Sequence, residues 1–230
     1  MKDPFADLRQ TAARWGVLLD DGQMELLSRY CSDVLAFNRK ANLTAADGPE
    51  DVALRHLADG LACVPVLRKL CRAPAPEILD VGSGAGFIGL AIKIAWPEAR
   101  VTLMEPRLKR YGFLSAEAAA LGLSGISLLR RRAEDRREGT DRLYDLVVAR
   151  ALAPAETALA GALPWTRPGG RVVLYQSAAP DPGTPGLVAA LDAGDGVWEG
   201  ARPYRLPREQ KDRFLAVFSR RPASQAGGVH

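Results

Sequence analysis

A short run of glycines after an apolar segment is the part of this chain whose chemistry is easiest to interpret. Residues 80–89 read Asp-Val-Gly-Ser-Gly-Ala-Gly-Phe-Ile-Gly. Glycine adopts positive φ angles and lets the backbone approach a ligand closely. A strand that runs into a glycine-rich turn and then a helix is typical of nucleotide-binding sites. The run therefore predicts a binding loop for a nucleotide-like cofactor.

Two classes of cofactor fit the spacing of the glycines. Gly84, Gly86 and Gly89 satisfy the GxGxxG pattern of dinucleotide-binding proteins. Glu105 follows about 20 residues after that pattern begins, where a ribose-binding acid belongs. Alternatively, Gly82, Gly84 and Gly86 form the GxGxG of S-adenosylmethionine-dependent methyltransferases.

The acid that precedes the glycines favours the second cofactor. Asp80 lies two residues before Gly82 and would repel a pyrophosphate at the helix start. S-adenosylmethionine carries a sulfonium and an ammonium group and no phosphate, so a carboxylate attracts it. We therefore predict S-adenosylmethionine as the cofactor, bound by a loop whose members are Asp80, Gly82, Ser83, Gly84 and Gly86.

Three further segments are candidates for contact with this cofactor. Glu105 is predicted to accept hydrogen bonds from both ribose hydroxyls, unless it is an exposed acid at a strand end. Phe87 either packs against the cofactor or belongs to the core. Ala133 and Glu134 are placed to meet the adenine through backbone and carboxylate, or else form part of a solvated charged run.

Arg150 occupies the position after the fourth predicted strand, within VVARALAP. Many methyltransferases that modify nucleic-acid amines carry an Asn-Pro-Pro-aromatic motif there, and this chain has none. A guanidinium fork matches the N7 and O6 edge of guanine, although a structural salt bridge is the simpler role. Guanine N7 already has an in-plane lone pair, so in-line methylation there needs alignment and no general base.

Other catalytic chemistries find no support in the sequence. The chain has two histidines, His56 and His230, which leaves no metal-ligand cluster and no Ser/His/Asp triad. We therefore expect no metal. The three cysteines form no CxxC pair, which indicates free thiols in a reducing compartment, and none follows a proline as in cytosine-C5 methyltransferases.

The elements that must position these residues form two predicted domains. Residues 1–72 show helical periodicity and predict an N-terminal helical cap, with Pro49 starting one of its helices. Residues 73–221 alternate short apolar strands with amphipathic segments, which predicts an α/β, Rossmann-like, doubly wound and mostly parallel sheet. Residues 222–230 are expected to fray. The predicted strands are 77–81, 100–105, 126–130, 143–149 and 171–176, followed by VWEGARPYRL and RFLAVFSR as an antiparallel pair.

Composition agrees with a globular protein of this kind. The 230 residues are 47% hydrophobic and 25% charged, and the net charge of +4 does not by itself demand a nucleic-acid partner. We find no membrane span and no targeting segment, and we expect a cytoplasmic monomer.

Several of these motifs together resemble the 16S rRNA guanine-N7 methyltransferases, the family also called glucose-inhibited division protein B. The resemblance covers about residues 38–176. It implies a class I S-adenosylmethionine-dependent methyltransferase fold, with guanine N7 in the decoding-region loop of bacterial 16S rRNA as the substrate. The motifs are Asn42-Leu43-Thr44, Arg55-His56, DVGSGAGF with Gly89, LKR at 108–110, RAED at 132–135 and VVARALAP.

The resemblance also assigns residues and reveals departures. It implies cofactor contacts at Gly82, Phe87, Ala133, Glu134 and Arg150. This chain has Ile88 where the family usually has Pro, Glu105-Pro106 in place of an acid-Ser pair, and Gln176-Ser177 in place of Lys-Gly. The missing lysine leaves one substrate contact open.

Basic and polar residues outside the loop are candidates for contact with RNA phosphates. The alternative for each is an ordinary solvated surface charge or a packing role. Two other functions also stay open: a small-molecule methyltransferase, and a non-catalytic RNA-binding module on a Rossmann-like fold. The RNA candidates are Asn42, Thr44, His56, Lys109, Arg110, Arg131 and Arg132, with Arg136 and Arg137 in the same basic cluster.

Overall fold

A seven-stranded sheet forms the centre of the molecule. The computed structural model describes residues 3–135, 139, 141–150 and 154–222. The strand order is β3-β2-β1-β4-β5-β7-β6, which confirms the predicted α/β architecture. The strands are β1 (Glu77–Val81), β2 (Arg100–Met104), β3 (Ile126–Leu129), β4 (Tyr144–Ala149), β5 (Thr166–Gln176), β6 (Gly196–Tyr204) and β7 (Arg213–Arg220).

Strand directions follow the prediction. The first five strands are parallel, and β7 lies antiparallel between β5 and β6. The sequence placed the start of β5 at residue 171, whereas it begins at Thr166 and pairs with Tyr144 across an irregularity in the register. The turn-forming residues 167–170 hid this extension, because they break the apolar pattern on which the prediction depended.

The strand order reverses direction at β1, whose neighbours are β2 on one side and β4 on the other. In open α/β sheets a crevice forms at such a switch point, beyond the carboxyl ends of the strands. The glycine run follows β1, Glu105 follows β2 and Arg150 follows β4. The topology therefore brings the principal candidates of the sequence analysis to one edge of the sheet.

Helices cover both faces of the sheet. Alternate residues of β1 show this division: Ile78 packs with the N-terminal helices, while Leu79 and Val81 face the opposite core. The helices that follow the first strand are α6 (Gly89–Ala95), α7 (Leu108–Ala120), α8 (Ala155–Ala162) with the 3-10 turn Leu163–Trp165, and α9 (Pro185–Ala193).

The N-terminal cap is helical, as predicted. A capping box joins Asp20 and Gln23 at the start of the long second helix, and Pro49 begins the third. The cap and one face of the sheet share a hydrophobic core, and the boundary near residue 72 stays a prediction. The cap elements are α1 (Pro4–Arg14), α2 (Asp21–Ala41), α3 (Pro49–Asp51), a π-helical segment (Val52–Leu57), α4 (Ala58–Ala62) and α5 (Val64–Leu70).

No helix in the described ranges has both the length and the apolar character needed to cross a membrane. The segment expected to fray, residues 222–230, lies outside the described residues apart from Pro222.

Candidate functional site

The glycine run forms a tight loop between β1 and α6. Gly82, Gly84 and Gly86 have φ angles of +70°, +60° and +93°. Residues other than glycine rarely adopt such positive φ angles. A Cβ atom on Gly86 would also lie 2.7 Å from Leu114 Cδ2 and 2.9 Å from Leu90 Cδ1. The loop therefore depends on glycine for its backbone conformation and, at residue 86, for the space beneath it.

Asp80 lies below the loop. Its carboxylate is 1% exposed and accepts a hydrogen bond from the Gly89 amide at 3.0 Å. Its carbonyl oxygen accepts one from Ser83 Oγ at 2.9 Å. Burial raises the pKa of Asp80 to about 6. The sequence predicted an acidic strand end here, and the structure shows that this acid is buried and joins the loop to the start of α6. Direct contact of Asp80 and Ser83 with a cofactor stays a prediction.

Glu105 supports the same loop from β2. One carboxylate oxygen accepts a hydrogen bond from the Gly84 amide and the other from the Arg107 amide, both at 2.9 Å. Glu105 is 3% exposed, which rules out an exposed acid at a strand end. Each oxygen of a carboxylate has a second lone pair, so the predicted bonds from ribose hydroxyls remain compatible with this geometry.

A cavity of about 300 Å³ lies beside the loop. Gly82 lines one side, and residues 131–134 line another. The carbonyl of Ala133 accepts a hydrogen bond from Trp165 Nε1 at 3.2 Å, which fixes this backbone against the sheet. Glu134 is exposed and lies 3.6 Å from Arg132 Nη1. The structure thus places Ala133 and Glu134 in the cavity wall together with Gly82, and their contact with adenine stays a prediction.

Phe87 is part of the core. It is 3% exposed, and its ring stacks on His56 with centroids 4.4 Å apart and planes 4° apart. The structure therefore supports the packing role left open for Phe87. His56 belongs to the π-helical segment of the cap, a kind of helix often found at functional sites. The cofactor contact implied by resemblance stays a prediction.

Arg150 reaches from the end of β4 to the cap. Its Nη1 donates to Asp59 Oδ2 at 3.0 Å and lies 3.4 Å from His56 Nδ1. Its guanidinium carbon is 5.7 Å from the Phe87 ring centroid. Burial, followed by the charge of Arg150, lowers the pKa of His56 to about 4, so His56 is neutral at pH 7.

Asp59 in α4 joins four parts of the chain. It is 1% exposed. Oδ2 also accepts from Arg213 Nη1 at 3.0 Å, and Oδ1 accepts from Tyr204 Oη at 2.7 Å. The Asp59 carbonyl accepts from Tyr175 Oη at 3.1 Å. His56 and Asp59 are three residues apart in the sequence, whereas the partners of Asp59 in β6 and β7 are brought to it by the tertiary structure.

A second cavity, of about 620 Å³, opens next to this network. Its lining is mixed, with cations from the cap, the end of β4 and the start of β7. Gln176 and Ser177, which stand where the family named in the sequence analysis usually has Lys-Gly, also line this cavity. The cationic residues that line it are Arg55, Arg150, Lys211 and Arg213.

The remaining RNA candidates are dispersed around this edge. Lys109 is exposed, and Arg110 Nη1 lies 4.0 Å from where a Cβ on Gly84 would be, which puts the Arg110 guanidinium beside the glycine loop. Arg131 is half-buried in an ion pair with Asp141 at 2.6 Å. Arg132 is exposed. Arg136 and Arg137 lie outside the described residues.

Asn42 and Thr44 belong to a turn of the cap. Asn42 ends α2 with a left-handed φ of 45° and is exposed. Thr44 is half-buried, with Oγ1 accepting from the Ala46 amide at 3.2 Å. These roles are structural, and contact with RNA stays a prediction. Within the described residues, no group of three or more His, Cys, Asp or Glu side chains is placed to hold a metal ion.

Comparisons with known proteins show which family this chain resembles over most of its length. The family model described as GidB, rRNA small subunit methyltransferase G, matches residues 23–182. A protein named ribosomal RNA small subunit methyltransferase G from Geobacter sp. (strain M21) is 35% identical over 214 residues, covering 93% of this chain and 96% of the relative. Its namesake from Myxococcus xanthus is 39% identical over 197 residues, covering 84% and 87%.

Solved structures share the fold. Magnesium protoporphyrin IX methyltransferase from Synechocystis PCC 6803, solved with S-adenosylmethionine bound, has a TM-score of 0.57 at 17% identity and covers 87% of this chain and 98% of its own. TrmN from Thermus thermophilus has a TM-score of 0.54 at 26% identity, covering 74% and 51%. The predicted class I methyltransferase fold is therefore confirmed.

Proposed function

The chain belongs to the GidB family, rRNA small subunit methyltransferase G, and from this premise we propose that it methylates 16S rRNA with S-adenosylmethionine as the methyl donor. The finer proposal is that the acceptor is N7 of a guanine in the decoding-region loop. One observation carries the methyltransferase function: three elements of the site meet at one edge of the sheet. They are the glycine loop after β1, Glu105 after β2 and Arg150 after β4.

The residues around the glycine loop fit the cofactor. Three glycines with positive φ form the loop, and Gly82 lines the 300 Å³ cavity. The carboxylates of Asp80 and Glu105 accept hydrogen bonds from the Gly89 and Gly84 amides of the same segment. S-adenosylmethionine supplies a methyl group on a positively charged sulfur when bound. We assign Gly82, Gly84 and Gly86 to its backbone cradle, Glu105 to the ribose, and Ala133 with Glu134 to the adenine.

Arg150 is proposed to orient the acceptor base. It lines the larger cavity and is already fixed by Asp59. Once N7 is the reacting atom, the guanidinium is left to hold O6 or a phosphate. Because the bound reactants are already aligned, less entropy has to be lost in the transition state. No side chain has to remove a proton from N7.

The basic residues around both cavities are proposed to receive RNA phosphates. Arg110 lies beside the glycine loop, with the exposed Lys109 next to it in α7. Arg132 lines the smaller cavity, and Arg55 and Lys211 line the larger one. Such contacts orient the RNA without reading its sequence. We also propose that the protein acts as a monomer in the cytoplasm, on 16S rRNA or on the small ribosomal subunit.

Nucleoside mass spectrometry tests this function. Unmethylated small subunits and naked 16S rRNA are incubated separately with the protein and a labelled methyl donor, and each RNA is digested to nucleosides. We expect labelled 7-methylguanosine in at least one of the two substrates, and a lower but still measurable yield with Arg150→Ala. Transfer to metabolites alone would favour a small-molecule methyltransferase. RNA binding without any transfer would favour a non-catalytic module.

A further inference from the structure

The carboxylate of Asp59 is unusual in this molecule, because two arginines share one of its oxygens. Arg150 Nη1 and Arg213 Nη1 each lie 3.0 Å from Oδ2. Tyr204 Oη donates to Oδ1. A carboxylate that is 1% exposed needs such partners to remain charged. Asp59 is thus held from three sides by donors that come from β4, β6 and β7.

The two arginines differ in what they have left to offer a substrate. Arg213 donates through Nη1 to Asp59 and through Nε and Nη2 to both oxygens of Glu209, at 2.9 and 2.7 Å. Arg150 has its Nη1 directed to Asp59 and His56, and no described residue accepts from its Nε or Nη2. Arg150 is therefore the member of the pair with donors available for a ligand in the larger cavity.

We propose that Asp59 is a positioning residue for methyl transfer: by fixing Nη1 of Arg150, it sets the direction of the remaining guanidinium donors toward the acceptor base. This inference rests on the proposed function and names the group through which the cap contributes to it. Neutral His56 assists, since its Nδ1 faces the same Nη1. A free arginine side chain samples many rotamers, and restricting them beforehand lowers the entropy that must be lost during alignment.

A double-mutant cycle in kcat distinguishes positioning from simple stabilisation. Asp59→Asn keeps the size of the side chain and is expected to lower kcat about 10- to 100-fold, with the affinity for S-adenosylhomocysteine within about threefold of wild type. In an Arg150→Ala background the same change is expected to have less than a twofold effect, because its target is gone. Losses that multiply in the double variant would overturn the proposal.

Two further variants guard against a misfolded Asp59→Asn protein. Tyr204→Phe removes only the donor to Oδ1 and is expected to lower kcat about three- to fivefold, again only when Arg150 is present. Glu117→Gln alters another buried acid, 4% exposed in α7, and should leave kcat unchanged. A Tyr204→Phe loss that persists without Arg150 would contradict the proposal.

Nuclear magnetic resonance of the arginine side chains measures how firmly the Arg150 guanidinium is held, and it does not depend on enzymatic activity. The Nη protons of Arg150, assigned by Arg150→Lys, should give separate signals in the wild type and averaged signals in Tyr204→Phe or Asp59→Asn. Averaged signals in the wild type would refute the positioning role. If instead these signals are separate but wild-type protein transfers no methyl to rRNA, the proposed function fails while the geometry of Arg150 stands.

Discussion

The two cavities at the carboxyl edge of the sheet are built in different ways. The glycine loop at the smaller cavity is set by backbone conformation: it has three glycines with positive φ, supported by carboxylates that accept hydrogen bonds from amides of this segment. The larger cavity is walled by side chains from the cap, β4, β6 and β7, which meet at Asp59. The first depends on chain conformation, and the second depends on tertiary packing and paired charge.

This difference predicts that substitutions in the glycine loop and substitutions around the larger cavity impair different steps. A change in the glycine loop should weaken cofactor binding first, because it alters backbone that is close to the ligand. A change at the larger cavity should weaken methyl transfer or RNA binding and leave cofactor affinity largely intact. The following variants test this separation, beginning with the largest expected effect.

Gly86→Ala should weaken binding of S-adenosylhomocysteine about 100-fold or more. The new Cβ meets Leu114 and Leu90 at 2.7 and 2.9 Å, in addition to the strain of a φ of +93°. Calorimetry measures the loss. Gly122→Ala is the matched control, since Gly122 has a φ of +65° with nothing within 4 Å of a Cβ. Equal losses of affinity in both variants would show that backbone strain far from the loop is enough to weaken cofactor binding.

Glu105→Gln should weaken the same binding about 10- to 30-fold. The amide keeps one acceptor for the loop but loses charge-assisted hydrogen bonds, each of which contributes about 1.5 to 3 kcal/mol. Glu25→Gln, at an exposed position of α2, serves as the control. Unchanged cofactor affinity in Glu105→Gln would remove the ribose role and leave only the support of Gly84 and Arg107.

His56→Phe should make the protein more resistant to acid. Folding lowers the pKa of His56 from 6.5 to about 4, so wild-type stability falls as the pH drops through this window, because the unfolded state binds a proton sooner. Phenylalanine retains the ring stack on Phe87 without titrating. At pH 4.5 we expect wild type to lose about 2–3 kcal/mol more than the variant, relative to pH 7.5. Parallel thermal-unfolding curves for the two proteins between these pH values would refute the burial of a neutral His56.

Lys211→Gln should weaken RNA binding about three- to fivefold, the smallest of these effects. Lys211 is exposed at the rim of the larger cavity, and one lost phosphate contact reduces the salt-dependence slope by about 1. Filter binding over a salt series measures both quantities. Lys69→Gln removes an exposed cation from α5 as a control. A slope equal to wild type would exclude Lys211 from phosphate contact.

Sequence patterns predicted the sheet because its signals are local. Alternating apolar strands and the glycine run gave the positions of β1, β2 and β4 to within one residue. Local spacing also identified Glu105 and Arg150, because each follows directly after a strand. The early start of β5 at Thr166 was missed, since its pairing with Tyr144 depends on a partner strand and not on its own apolar pattern.

The larger cavity was less predictable for the same reason. Asp59, Tyr204 and Arg213 are separated by up to 154 residues, and no periodicity links them. Asp80 illustrates a different limit: its charge was recognised, but the sequence did not show that the carboxylate turns inward to the amide of Gly89. Burial and hydrogen-bond direction are set by the assembled core, which sequence spacing describes only in part.

Calorimetric titration of S-adenosylhomocysteine into wild type, Gly86→Ala and Asp59→Asn tests the central claim most directly. If the glycine loop binds the cofactor and the Asp59 network orients the substrate, Gly86→Ala should lose cofactor binding. Asp59→Asn should keep cofactor affinity within about threefold of wild type, while its methyl transfer to small subunits falls. Loss of cofactor binding in Asp59→Asn, in a sample that is folded by thermal denaturation, would contradict the separation.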